Sequence, residues 1–259
     1  MASPRTITSR RHPLVLACRQ IASGRGERGE ILLDGEHLVD EALAARVRVR
    51  DVLVHGGDDE LARRAEAAGA HVHLVTADVM AAASPVRTPS GVVAIAEWQP
   101  PPLTDVFRAS TALVIALVDV QDPGNVGSVI RSADALGASA VVAAGATADP
   151  AGWRALRAAM GSTFRVPVHR ADVDALFDAA RAHRARVVAT TVGDGEPLDG
   201  LRLDGPAVVL LGNEGAGLSE AVVQRADARV RVPMRAGVNS LNVAVTAALI
   251  LYAAGRPRE

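Results

Sequence analysis

Lysine is absent from this chain of 259 residues: all 28 basic residues are arginine. A phosphate-binding loop of the Walker type, which sets a lysine on the phosphates, is therefore excluded. Alanine is so abundant that the all-arginine usage reads as compositional bias, and the arginine count alone says nothing about nucleic acid. Cysteine is nearly absent too. Cys18 stands alone, so neither an intrachain disulfide nor a four-cysteine metal site is possible, and a reducing cytoplasm fits. Aromatic residues make up only 2%, which argues against a surface built for extensive base stacking. The longest strictly apolar run, residues 112–118, is too short to span a bilayer. The apolar stretch 241–254 is interrupted by Asn242 and Thr246 and reads as a buried helix. No membrane partner is expected.

What remains is an ordinary globular composition, 49% hydrophobic and 22% charged, which excludes wholesale disorder. The formal net charge is −1 but unevenly spread. Residues 1–33 hold Arg5, Arg10, Arg11, Arg19, Arg25 and Arg28 against Glu27 and Glu30; the acidic excess lies beyond. Residues 1–17 read as a basic arm rather than a transit peptide, because an organised domain follows at once. A basic leading segment on a near-neutral body hints at a polyanion partner, although a merely solvated arm has the same signature.

Three successive prolines, Pro100 to Pro102, fit neither a helix interior nor a central strand. The chain is divided there into residues 1–98, a proline-rich linker at 99–107, and residues 108–259. Both parts alternate strands and helices. In the first, strands are expected at 29–35, 47–55, 71–76 and 91–98, with helices at 36–45, 58–68 and 78–83. In the second, strands are expected at 113–120, 140–144, 187–191, 207–212 and 229–233, with helices at 126–136, 153–159, 173–183, 220–225 and 241–254. Continuous apolar strands between helices imply an α/β fold with a mostly parallel sheet covered on both faces.

Ligands of such sheets bind beyond the carboxyl ends of the strands, and three exits are unusual. The first is DVQDPGNVGSVIR, residues 119–131. Its Asp122-Pro123-Gly124 is a turn, a helix is expected near Asn125, Gly127 permits close approach, and Arg131 follows. Asn125 reads equally as a cap and Arg131 as a solvated surface residue. The second is LLGNEGAGL, residues 210–218, with Gly212, Gly215 and Gly217 around Glu214. The order of these glycines is not the dinucleotide fingerprint, which disfavours an oxidoreductase. The third is VPMRAGVNSLNVAV, residues 232–245, where a helix is expected from Ser240, with Ser240 or Asn239 as its cap. Asn242 would then fall in the first turn of an apolar helix, where an amide needs partners. No histidine, cysteine or metal-ligand spacing accompanies these exits. His71 and His73 read as surface or packing residues, and G-x-S-x-G is missing.

Together the three segments resemble the motifs of the SpoU/TrmH family of RNA ribose 2′-O-methyltransferases, in the SPOUT superfamily. NVGSVIR is similar to N-x-G-x-x-x-R, LLGNEGAGL to L-G-x-E-G-x-G-L, and VPMRAGVNSLNVAVTAAL to I-P-M followed by S-L-N-V. Residues 9–43 and 84–98 resemble that family's substrate-binding domain, which is similar to the L30e-like and L7Ae-like modules of ribosomal proteins. Two departures stand out: Asp34 where glutamate is common, and Asn213 where serine or alanine is common, the latter expected to be tolerated. The resemblance implies a trefoil-knot domain of α/β type behind a smaller α/β domain, a homodimer, and S-adenosylmethionine as cofactor. It implies that the backbone around Leu211, Gly212, Val232, Met234 and Leu241 holds the cofactor, joined by Thr190 or Thr191. It also implies RNA as partner, 23S rRNA before tRNA, with the six leading arginines on phosphates and no metal.

The reaction so implied moves a methyl group from a sulfonium to a ribose 2′-hydroxyl. The resemblance makes Arg131 the residue that activates the hydroxyl. A guanidinium stays protonated, so a phosphate clamp or a stabiliser of developing alkoxide charge is the physical alternative. Asn125, Glu214, Ser240 and Asn242 are expected to orient Arg131, the ribose and the cofactor. A non-catalytic RNA-binding or assembly factor is the rival reading.

Overall fold

The computed structural model describes residues 6–56, 59–235, 237–238 and 240–255. Arg5, one of the six arginines expected to meet RNA, lies outside the described residues, as does Asn239. In chain order the first elements are α1 (Pro13–Ala22), β1 (Glu30–Asp34), α2 (Glu36–Ala44), β2 (Arg48–Val54), α3 (Asp59–Ala67), β3 (His71–Leu74), α4 (Ala77–Ala83) and β4 (Val92–Glu97). Then follow β5 (Leu113–Val118), α5 (Pro123–Ala135), β6 (Ala140–Ala144), α6 (Trp153–Ala159), β7 (Val168–Ala171), α7 (Val173–Ala182), β8 (Arg186–Thr190) and β9 (Glu196–Pro197). The last are β10 (Ala207–Leu211), α8 (Glu220–Gln224), β11 (Ala228–Arg231) and α9 (Val243–Ala254). No helix among the described residues is long and apolar enough to cross a membrane.

Two compact units emerge. The first runs to Gln99 and includes Ala151–Phe164; the second holds Pro100–Pro150 and the chain from Arg165 on. The first unit has a four-stranded sheet in the order β1-β4-β2-β3. β4 is antiparallel to β1 and β2, and β3 is parallel to β2. Side chains alternate across the strands with period two. Ile31, Leu33, Val52 and Val54 pack with α2 and α3, while Leu32, Leu53, Val93 and Ile95 pack with α1 and α4. Apolar residues therefore run unbroken through Ile31–Leu33, Val52–Val54 and Val92–Ala96, where both faces are covered.

The segment 151–164 departs from a simple cut at the prolines. Helix α6 lies against the edge strand β1, with Leu156 in the core on one face of the sheet and Trp153 against the core on the other. An apolar edge strand left open is a pairing hazard, and a helix laid along it removes the hazard. Arg157 of the same helix pairs with the buried Asp34 carboxylate at 2.9 Å, and Ser84 donates to that carboxylate at 2.7 Å. Separation in sequence hid this packing.

Helix α1 was also unread. Its apolar residues Val15 and Cys18 are fully buried, and Ile7 bridges Val75, so the chain from Thr6 on is not a free arm. Arg19 donates to the Ala82 carbonyl at 2.9 Å, and Arg25 to the Ser23 hydroxyl at 3.1 Å. Both retain further donors for phosphate. Burial pushes the Cys18 thiol up to about 12, which suppresses the reactive thiolate. Native protein at pH 8 should resist a disulfide-exchange reagent, and denaturant should release one thiol per chain. Rapid labelling of native protein would show that this core opens.

In the second unit seven strands lie in the order β7-β6-β5-β10-β8-β11-β9, all parallel. From β5 the chain steps outward to β6 and β7. It then returns to β8 on the other side, leaving a position that β10 fills. The sheet order thus reverses beside β5, and the carboxyl ends of β5, β10 and β8 open onto a crevice. Two short strands, β7 and β9, were not expected from sequence: β7 carries His169 and Arg170 amid its apolar positions, and β9 has only two residues.

His169 on β7 is 1% exposed, with Nδ1 at 3.0 Å from the Pro101 carbonyl. Burial is the main cause that lowers its pKa. The unfolded chain therefore binds this proton more readily than the folded one. The stabilising contribution is complete above the ordinary histidine value and shrinks as pH falls through it. The melting temperature should drop on going from pH 8 to 5.5, and His169→Gln should shrink that drop. An unchanged drop in the variant would remove His169 as its source.

Candidate functional site

The exit of β5 is built by tight local bonding. Asp119 adopts φ +58°, a left-handed conformation uncommon outside glycine. Its carboxylate accepts from the Ala146 amide at 2.7 Å. The Thr147 hydroxyl accepts from Val120 N at 3.2 Å and donates to the carbonyls behind it. Helix α5 then starts at Pro123, three residues earlier than expected, with Asp122 as its cap: the carboxylate accepts from Asn125 N at 2.9 Å. Proline at the first helical position and aspartate before it are a strong start signal. Asn125 is therefore not the cap, and its side chain is free for other work.

That side chain reaches two other segments. Asn125 Nδ2 donates to Glu214 Oε1 at 2.9 Å, and Asn125 Oδ1 accepts from Asn242 Nδ2 at 2.9 Å. Asn242 caps α9, accepting from Ala244 N at 2.8 Å. The helix thus begins at Val243, and Ser240 lies outside it, correcting the expected start at Ser240. Glu214 also accepts from the backbone amides of Gln121 and Asp122 at 3.3 and 3.2 Å. Partial burial alone would raise the Glu214 carboxyl. The hydrogen bonds from Asn125 and from its own, Asp122 and Gln121 amides outweigh burial, and the net pKa falls below the usual carboxylate value. Side chains far apart in sequence thus converge on one bonded chain, Glu214–Asn125–Asn242.

Beside it lies a cavity of about 420 Å³ at the carboxyl ends of β8, β10 and β11, within the range of roughly 300–1,000 Å³ usual for small-molecule sites. Its wall includes Thr190, Leu211, Gly212, Glu214, Val232, Met234, Ser240, Leu241 and Asn242, all expected from sequence. Thr191 lines it as well. The Thr190 hydroxyl donates to the Leu210 carbonyl at 2.8 Å, leaving its oxygen to accept. Asn213, Gly215 and Gly217 of the second exit line it too, and Val192, Ala216, Leu218, Val230, Val243, Thr246 and Ile250 line it without having been foreseen. All of the latter but Thr246 lack a polar side-chain group, and only the fold reveals that they face a hollow rather than the core. Neither Asn125 nor Arg131 lines the cavity. Arg131 is exposed, four residues from the end of α5, whereas Asn125, Glu214, Ser240 and Asn242 are joined by hydrogen bonds or line the cavity.

Gly212 shows how tightly the second loop closes. A Cβ there would lie 2.3 Å from the backbone of Gly217 and Leu218. The loop folds back on itself through Asn213 N to Gly217 O at 3.1 Å and the reverse bond at 2.9 Å.

Comparison with known proteins agrees with this geometry. The model of the SpoU rRNA Methylase family matches residues 112–252, and that of the MRM3-like substrate binding domain matches residues 20–94. The chain is 34% identical over 229 residues to the 23S rRNA (guanosine(2553)-2′-O)-methyltransferase RlmP of Bacillus subtilis, covering 88% of this chain and 89% of that one. An AdoMet-bound rRNA methyltransferase from Sinorhizobium meliloti superposes with a TM-score of 0.88 at 31% identity, covering 96% of each chain. The SpoU methyltransferase AviRb from Streptomyces viridochromogenes, solved with AdoMet, superposes with a TM-score of 0.84 at 28% identity, covering 94% of this chain and 98% of that one. The resemblance seen in the three strand exits thus extends over the whole architecture, and the chain belongs to the SpoU rRNA methylase family.

Proposed function

We propose that the protein is an S-adenosylmethionine-dependent RNA methyltransferase acting on a ribose 2′-hydroxyl, with 23S rRNA as its substrate and tRNA as the next class to assay. The observation that carries this reading is the Glu214–Asn125–Asn242 chain at the rim of a cavity of about 420 Å³. The cavity suits the cofactor: apolar side chains of Leu218, Val230 and Ile250 offer a surface to an adenine, backbone edges at Leu211, Val232 and Met234 offer donors and acceptors, and Glu214 supplies negative charge near a sulfonium. When bound, the cofactor would supply the methyl group, its S–C bond breaking as the new O–C bond forms, and the 2′-hydroxyl proton would pass to solvent water.

The chain's own residues then have distinct tasks. Glu214 holds the Asn125 amide, and Asn125 holds Asn242, so the group facing the ribose is set before RNA arrives. Arg131 projects from α5 outside the cavity wall, and its role begins when RNA brings a phosphate or a developing alkoxide to it. Arg10, Arg11, Arg19, Arg25 and Arg28 in the first unit add phosphate contacts. A homodimer is supported by an apolar stripe on α9: Val245, Leu249 and Tyr252 are 48%, 37% and 53% exposed at helical spacing. A trefoil knot in the second unit and a cytoplasmic location complete the reading.

Titration calorimetry with S-adenosylmethionine, with NAD as control, should give binding of the first alone. Transfer of labelled methyl to 23S rRNA, and mapping of ribose methylation in RNA from cells with and without the gene, should then locate the site. Binding without transfer to any RNA would favour the assembly-factor reading, against which the presence of Asn125, Arg131, Glu214, Ser240 and Asn242 together speaks. Absence of cofactor binding would overturn the proposal.

A further inference from the structure

We infer that Asn213 is a positioning residue that sets the hydroxyl-activating segment in register with the cofactor loop; this rests on the reading of the cavity as the cofactor site. The side chain makes two kinds of bond. Its Oδ1 accepts from Gly215 N and Ala216 N, both at 2.9 Å, which shapes the loop carrying Glu214. Its Nδ2 donates across to the Asp119 carbonyl at 3.0 Å. Asp119 is the residue held in the left-handed region at the exit of β5.

The neighbouring Glu214 grips the same exit with opposite polarity, accepting from Gln121 N, Asp122 N and Asn125 Nδ2. Residues 213 and 214 thus form a two-point stitch: one donor meets one carbonyl, and one acceptor meets three N–H groups. A single attachment leaves a loop free to pivot, whereas two attachments of opposite polarity admit one register only. That register fixes Asn125 and the start of α5 against the cavity. Serine or alanine at 213 is too short to reach Asp119, so neither residue replaces Asn213 without loss.

The two arms are separable by substitution. Asn213→Asp keeps the Oδ acceptors for Gly215 and Ala216 but loses the donor to Asp119. Asn213→Ser keeps one short acceptor and also loses the donor, without adding charge. Asn213→Ala removes both arms. Asn213 also lines the cavity, so cofactor affinity is read separately by calorimetry, and with kcat taken by single turnover at saturating cofactor both the Asp and Ser variants should lose at least tenfold in kcat (1.4 kcal/mol per tenfold). The Ala variant should in addition weaken cofactor binding at least tenfold. Wild-type kcat in both donor-deleted variants would overturn the inference. So would a loss confined to cofactor affinity or to melting temperature. Failure of the wild-type protein to bind the cofactor at all would instead defeat the underlying reading of the cavity.

Discussion

Gly212→Ala should abolish cofactor binding in a protein that still folds. The added Cβ would meet the Gly217 carbon and the Leu218 nitrogen at 2.3 Å. Both are backbone atoms, so no side-chain rotation relieves the clash. The loop 212–217 must open, and with it go the bonds between Asn213 and Gly217 and the wall that Gly212 and Leu218 form. Overpacking of this kind costs about 1–3 kcal/mol in stability, which lowers the melting temperature without unfolding a domain of this size. Binding suffers more, because the displaced atoms are the cavity itself. We expect Kd for S-adenosylmethionine to rise at least ~100-fold, which corresponds to about 2.8 kcal/mol. Gly193→Ala is the internal control: its Cβ would meet nothing within 4 Å, and Gly193 does not line the cavity, so cofactor affinity should change little. Equal affinity for Gly212→Ala and the wild type would mean that the cofactor sits elsewhere.

Arg131→Ala should show the reverse pattern, with cofactor binding kept and methyl transfer lost. Arg131 does not line the cavity, so its removal leaves Kd for the cofactor within about twofold. Loss of a preorganised charge at developing anionic oxygen costs roughly 10²–10³ in kcat. Arg131→Lys separates its possible tasks. A clamp on phosphate needs positive charge and retains part of the rate with lysine, whereas a bidentate or directional role loses nearly all of it. Normal turnover in Arg131→Ala would remove this residue from the mechanism and return attention to the Glu214–Asn125–Asn242 chain.

Some features were legible in the sequence for a simple reason: their signals are local. Period-two burial, unbroken apolar strands and glycine-rich exits mark β1, β2, β4, β5, β6 and β10 without any knowledge of neighbours. Asp122 followed by Pro123 announces a helix start by cap chemistry alone, although Asn125 has the side-chain type of a cap as well. The same blindness to partners moved the start of α9: Ser240 has the type of a cap, but only the observed backbone shows Asn242 in the capping position with its amide turned to Asn125. Helix α1 and strand β7 carry weaker patterns, mixed with arginine or histidine, and passed unread.

By itself the sequence determined the alternation of strands and helices, the doubly covered parallel sheet, and the identity of the residues on the three glycine-bearing exits, because side-chain periodicity and turn chemistry act over a few residues. Only the tertiary structure decided that α6 closes the edge of the first unit's sheet, that Asn213 stitches two loops, and that Arg131 does not line the cavity. Those outcomes depend on which strand slides between which others. Once β10 settles between β5 and β8, residues 89 and 117 positions away from Asn125 come within a hydrogen bond of it, and no local propensity encodes that distance.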